Sequence, residues 1–102
     1  MHIGGGPNDA ATKAPIAQSV SPHFPELGAC WIKVDEPARG GSFGVDLLVP
    51  AEGGRAAVSH PRTALRGDAF RDCVVAVLEG VDFERPRGGR TTVSYSLEFA
   101  HR

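Results

Sequence analysis

Cysteine and histidine side chains are the groups in this 102-residue chain best suited to nucleophilic, acid–base or metal chemistry. The two cysteines, Cys30 and Cys73, are 43 positions apart, and neither lies in a Cys-x-x-Cys pair or near a histidine at zinc-site spacing. The histidines are scattered along the chain: His2, His23, His60 and His101. The sequence therefore predicts no metal site and no cofactor.

The chemistry open to the cysteine pair depends on burial. Cys73 shares an apolar helical face with Phe70 and Val77, and a thiol buried on such a face is unreactive. A Cys–His nucleophilic pair is therefore not expected. From the residues alone two interpretations stay open: two small buried hydrophobic side chains, or the two halves of one disulfide.

The acidic side chains do not form a catalytic pair either. Asp68 is predicted to cap a helix, Asp72 and Glu79 lie on the solvated face of that helix, and Glu52 belongs to a turn. Because no nucleophile, base and orienting residue can be assembled from these positions, we expect a protein without enzymatic activity.

The remaining chemistry belongs to the backbone of the last predicted strand, Thr91–Phe99. Apolar and polar residues alternate along it, which predicts one buried face and one solvated face. The N–H and C=O groups of an edge strand can pair with a strand from another chain. The candidate partner-binding residues are Thr91, Thr92, Val93, Ser94, Tyr95, Ser96 and Leu97. The alternative is a short, charged edge that binds nothing.

Size and charge exclude several classes of protein. The chain is long enough for one domain, and its net charge of -1 lacks the basic excess of a nucleic-acid-binding protein. No run of 18 apolar residues is present, so no membrane span is expected. The first residues do not resemble a signal peptide. For an exported protein, we expect the signal or anchor to lie outside this chain.

Two segments are predicted to be helical. In the first, apolar residues from Ile16 to Val34 recur every three or four positions, but Pro22 and Pro25 predict a break, with Ser21 as the N-cap of the main part. The second begins at Asp68 and ends at Gly80.

Three strands are predicted beside these helices. Ser42–Val49 and Arg55–His60 flank a Gly-rich turn and form a hairpin, and Thr91–Phe99 follows the second helix. The fold class is α+β: a small single domain with element order α-β-β-α-β and a three-stranded antiparallel sheet in the order 2-1-3. Two helices cover one face of this sheet. Residues 1–14 are predicted to be a flexible N-terminal tail and residues 15–102 the domain.

The order and residues of these elements resemble the C-terminal domain of TonB-type energy transducers. They are most similar to the AgmX/PglI C-terminal domain of bacterial envelope and gliding-motility proteins. The motifs that carry the resemblance span about residues 16 to 99: Cys30-Trp31 at a helix end, the turn Glu52-Gly53-Gly54-Arg55, Phe70-Arg71-Asp72-Cys73, and Phe83, Pro86 and Gly88-Gly89 before Val93–Phe99. The sequence departs from the pattern at Val81, where the family has Trp, and at Glu84, where it has Pro.

The resemblance implies a disulfide between Cys30 and Cys73, and hence the periplasm or cell envelope. It also implies a non-catalytic interaction module in transport or gliding motility. Such a module binds an envelope protein or peptide segment by β-augmentation on the last strand. The alternative is a self-associating module that pairs this edge with its symmetry mate to form a homodimer.

Overall fold

The structure, a computed structural model, describes residues 1–4, 8–35 and 40–99. Four strands of the described residues make up one antiparallel sheet: β1 (His2–Gly4), β2 (Gly41–Val49), β3 (Ala57–Thr63) and β4 (Thr91–Phe99). The spatial order is β1-β4-β2-β3. The small α+β domain with an antiparallel sheet is thus confirmed. The three predicted strands lie in the predicted order, but the sheet has a fourth strand.

The fourth strand corrects the prediction for the N-terminus. Within the segment predicted to be a tail, His2–Gly4 pairs with β4, and a helix begins at Ala10; residues 5–7 lie outside the described part. The strand forms because Ile3 is 3% exposed and joins the core. Two apolar residues, Met1 and Ile3, are too few to establish a periodicity in this Gly-rich stretch, so only the tertiary contact reveals the strand.

The first predicted helix is interrupted, as its prolines indicate. It consists of α1 (Ala10–Val20), a 3-10 turn, α2 (Phe24–Cys30) and a second 3-10 turn. Ser21 is not the N-cap: its hydroxyl donates to the carbonyl of Gln18 at 3.5 Å. Asp9 caps α1 instead, because its Oδ1 accepts the N–H of Thr12 at 2.9 Å. Residues 36–39, where this helix is predicted to give way to a loop, lie outside the described residues.

The second helical unit, α3, spans Asp68–Glu79 and stops at Gly80. Gly67 holds the N-cap position without a side-chain hydrogen bond. Asp68 is instead the first helical residue, and its Oδ1 lies 3.5 Å from the guanidinium of Arg71. The predicted capping role of Asp68 is therefore wrong. The buried face of α3 contains Phe70, Val74 and Leu78.

One disulfide joins the two helical units. Cys30, at the end of α2, is bonded to Cys73 in α3, with 5.7 Å between their Cα atoms. The pairing implied by the resemblance is therefore confirmed. Beside it, Phe70 makes edge-on contacts with Trp31, Phe43 and Phe99 at centroid distances of 5.8, 5.8 and 5.1 Å. These contacts link both helical units to β2 and β4.

The corner before β4 rests on the turn between β2 and β3. Gly54 and Phe83 exchange two backbone hydrogen bonds of 2.9 Å, and Phe83 and Pro86 are buried. Gly53 has a φ of 80°, and a Cβ at this position would lie 2.7 Å from the carbonyl oxygen of Phe83. Only glycine fits both the backbone angle and the gap.

We expect Gly53→Ala to lower the free energy of unfolding by about 1–3 kcal/mol, through backbone strain and the forced shift of Phe83. Gly88→Ala is the control, because a Cβ there has no atom within 4 Å. It should change stability by less than about 0.5 kcal/mol. Urea unfolding followed by Trp31 fluorescence compares the two, and equal midpoints would contradict the assignment.

Candidate functional site

Strand β4 contains every candidate partner-binding residue, and the structure confirms it as a strand over Thr91–Phe99. On one side it pairs with β2 along its whole length, from Gly41–Phe99 to Val49–Thr91. On the other side β1 pairs with Thr92–Ser94, so the prediction that the last strand lies at the edge of the sheet is wrong at these positions. Within the described residues, no strand pairs with this outer edge beyond Ser94.

Strand β1 is held in place by the side chain of Ile3 and by Asn8, and Met1, which precedes the strand, is partly buried against the core. Ile3 is buried in the core, and its N–H donates to Oδ1 of Asn8 at 3.2 Å. The Nδ2 of Asn8 also contacts Nδ1 of His2 at 2.9 Å. Asp9 follows and caps α1; hydrogen bonds from Thr12 lower the pKa of the Asp9 carboxyl.

The burial of Ile3 and the ordering of the chain act in opposite directions on β1. Burying an isoleucine side chain contributes about 1.5–3 kcal/mol. Ordering the backbone of each residue costs about 1–2 kcal/mol, and β1 has three residues. Pairing with β4 adds backbone hydrogen bonds to the favourable side. At three residues, β1 is the shortest strand within the described part of the sheet.

The direction of the hydrogen bonds along β4 follows from the same contacts. Because the N–H of Ile3 donates to Asn8, it points away from β4. Antiparallel pairs alternate between those that exchange hydrogen bonds and those that do not. The pair Ile3–Val93 is therefore of the second kind, and His2–Ser94 and Gly4–Thr92 are of the first.

The pairing of β4 with β2 gives the same orientation for the backbone groups of β4. The carbonyl of Ser42 accepts a hydrogen bond of 2.6 Å from Oγ1 of Thr63 on β3, so the backbone groups of Phe43 face β4, where Leu97 is its partner. Backbone groups at Val93, Tyr95 and Leu97 thus point towards β2. Those that point to the outer edge are at Thr92, Ser94, Ser96 and Glu98.

The other edge of the sheet, on β3, is irregular. A register shift places His60 and Pro61 opposite Val45 alone. Pro61 has no N–H to donate, and the carbonyl of His60 accepts from Arg62 at 3.1 Å. His60 also has a φ of 51°, unusual for a residue before proline. Bulges and prolines of this kind protect an edge from pairing, so β4 has the more regular edge.

A polar network ties the strands together on the exposed face of the sheet. The guanidinium of Arg62 donates to Asp46 and to the hydroxyl of Ser94, each at 3.1 Å, and His60 contacts Asp46 at 3.2 Å. Ser42 donates to Glu98 at 2.7 Å. These groups are partly exposed, so the ion pairs contribute little to stability. The network gives β4 a polar outer face, which the alternation in its sequence predicts.

The inner face of β4 is apolar. Val93, Tyr95 and Leu97 are buried, and burial raises the pKa of the Tyr95 phenol above its ordinary value. The neutral phenol is therefore the form that the fold accommodates, and stability falls as pH rises above the unfolded-state pKa of about 10.

The groups considered for catalysis are separated by the fold. Cys30 and Cys73 are bonded to each other, so neither supplies a thiolate. The described histidines have different neighbours: Asn8 for His2, Glu26 for His23 and Asp46 for His60. No group of three or more His, Cys, Asp or Glu in the described residues is arranged to hold a metal ion.

A cleft of about 550 Å³ lies at the start of α3, and sequence reasoning did not reveal it. Its lining includes acidic and basic side chains from separate segments, Asp35, Arg66, Asp68 and Arg71. No sequence pattern indicates this cleft, because it depends on the packing of Asp35 against Arg66, whose carbonyl accepts the N–H of Asp35 at 2.9 Å.

Comparison of the chain with protein-family models, curated proteins and solved structures finds no match. The resemblance to TonB-type domains therefore stays a prediction from sequence. Across residues 1–4, 8–35 and 40–99, no helix has both the length and the apolar character needed to cross a membrane.

Proposed function

We propose that this protein is a non-catalytic interaction module of the periplasm or cell envelope, and that it binds an extended segment of a partner protein. The segment adds a strand to the outer edge of β4. One observation carries the proposal: this edge already accepts a strand at Thr92–Ser94, and its outward-facing groups continue at Ser96 and Glu98.

The location rests on the disulfide. Cys30 is fully buried and bonded to Cys73. Structural disulfides persist in oxidising compartments and are rare in the cytosol of most organisms. The resemblance to TonB-type and AgmX/PglI domains supports the same location and a role in transport or gliding motility.

The edge favours a partner segment of defined chemistry. On the exposed face of the sheet, β4 presents the side chains of Ser96 and Glu98. A segment with a cationic residue opposite the carboxylate of Glu98 therefore gains a favourable cross-strand pair. On the inner side, Tyr95 and Leu97 favour apolar neighbours. Alternating apolar and polar residues with a lysine or arginine at one end fit this edge.

The proposal is tested in two steps: the partner segment is first identified, and its binding to a backbone variant is then measured. A photoreactive residue at position 98 captures the partner from the native envelope fraction, and mass spectrometry identifies the crosslinked segment, which is then synthesised. Ser96→Pro should weaken binding of that peptide roughly ten-fold, because it removes an outward N–H worth about 1 kcal/mol and its ring blocks the approaching strand. Calorimetric titration measures the affinity.

Ser96→Ala is the matched control, because it changes the same exposed side chain and keeps the N–H. It should bind like the parent chain. Equal binding by a folded Ser96→Pro variant would overturn strand addition at β4. Crosslinks between two copies of the chain, together with a tight dimer in sedimentation, would instead establish self-association through this edge.

A further inference from the structure

Strand β1 occupies the positions that a partner strand needs in order to bind the full edge of β4. Along the part of β4 that β1 leaves uncovered, only Ser96 and Glu98 have backbone groups that point to the outer edge. Thr92 and Ser94 have the same orientation, but their groups face β1. A partner that takes the place of β1 therefore pairs at four residues rather than two.

The position of Ile3 is also a buried side-chain position on this edge, and it can therefore select a side chain. Ile3 is 3% exposed, whereas its neighbours His2 and Gly4 are exposed. In strand addition, main-chain hydrogen bonds supply affinity and pockets for alternate side chains supply specificity. A segment confined to Ser96 and Glu98 does not reach this pocket.

Resting on the proposed function, we infer that β1 is an internal competitor for the partner-binding edge. The partner segment runs antiparallel to β4, displaces His2–Gly4 and places an aliphatic side chain where Ile3 lies. Because β1 is tethered to the domain, it competes at a high effective concentration even though it is short. Segments without the aliphatic residue do not displace it.

A designed disulfide locks β1 in place in the full chain. A Cβ on Gly4 would lie 4.0 Å from the Cβ of Thr92, within the range of a disulfide. The variant Gly4→Cys, Thr92→Cys is compared with the matched control Gly4→Ser, Thr92→Ser. Ile3→Ser releases β1 by making its anchor polar. Mass spectrometry verifies that Cys30 and Cys73 are still bonded to each other.

The probe is the heptapeptide Lys-Val-Thr-Met-His-Ile-Gly. It carries the residues of Met1–Gly4 and, in the register of β1, extends to Glu98 with its lysine. A second probe has aspartate in place of isoleucine. Amide chemical shifts of the labelled protein, followed during titration, locate and quantify binding.

We expect the released variant to bind the first probe at least ten-fold more tightly than the serine control, with shifts at Thr92–Ser94. The locked variant should show no shift there, and the aspartate probe should bind at least ten-fold more weakly. Equal shifts at Ser96 and Glu98 in all three variants, without a change at Thr92–Ser94, would overturn the competition and leave strand addition standing. A folded released variant that shows no shift along β4 would overturn both.

Discussion

Replacing both cysteines, Cys30→Ala with Cys73→Ala, is expected to lower the free energy of unfolding by roughly 4 kcal/mol. The bond closes a loop of 43 residues, and opening it returns that much conformational entropy to the unfolded chain. Small domains have only about 5–15 kcal/mol of stability. The variant should therefore unfold at a much lower urea concentration.

The location of the disulfide strengthens this expectation. Prolines at positions 22 and 25 interrupt the first helical unit, whose α2 is 7 residues long, so its own helical hydrogen bonds hold it weakly. Cys73 fastens this short helix to α3. Urea unfolding of the parent chain with and without reductant is the control, because the reduced parent should match the variant. A loss below about 1 kcal/mol would contradict the assigned role.

Phe70→Ala is expected to cost about 3–5 kcal/mol. Phe70 is fully buried and contacts the rings of Trp31, Phe43 and Phe99. Truncation leaves a cavity between α3, the end of the first helical unit, β2 and β4. Because Phe99 is at the end of β4, we also expect faster amide exchange at Glu98 and Phe99.

The matched control is Phe24→Ala, which removes the same side chain from a position that is 50% exposed. It should change stability by less than about 1 kcal/mol. Denaturant unfolding of both variants provides the comparison. Similar losses from the two substitutions would show that the aromatic cluster does not anchor the helices to the sheet.

The regular elements of this fold could be predicted because their patterns are long. Strand β4 alternates over nine residues, and α3 has an apolar stripe over twelve. Their sequential order and antiparallel pairing leave few arrangements, so the order β3-β2-β4 follows from general rules. The break in the first helix follows from the missing N–H groups of Pro22 and Pro25.

Other features depend on contacts between distant residues. Pro15 lies inside α1, which begins at Ala10, before the apolar repeat that starts at Ile16, because Asp9 caps it. The strand β3 continues past Pro61 to Thr63 because a bulge at His60 restores the register. The spacing of the cysteines left both free thiols and a disulfide open, and only the packing of α2 on α3 brings the two side chains together.

For the candidate site too, some features follow from local sequence and others depend on long-range contacts. The amino-acid sequence by itself determined that Thr91–Phe99 is a strand with an apolar and a polar face, since alternation is a local property of the chain. Tertiary structure decided which backbone groups face outward and that Ile3 brings β1 to Thr92–Ser94. Pairing of residues some ninety positions apart depends on a buried side chain and a register, and neither leaves a local pattern in the sequence.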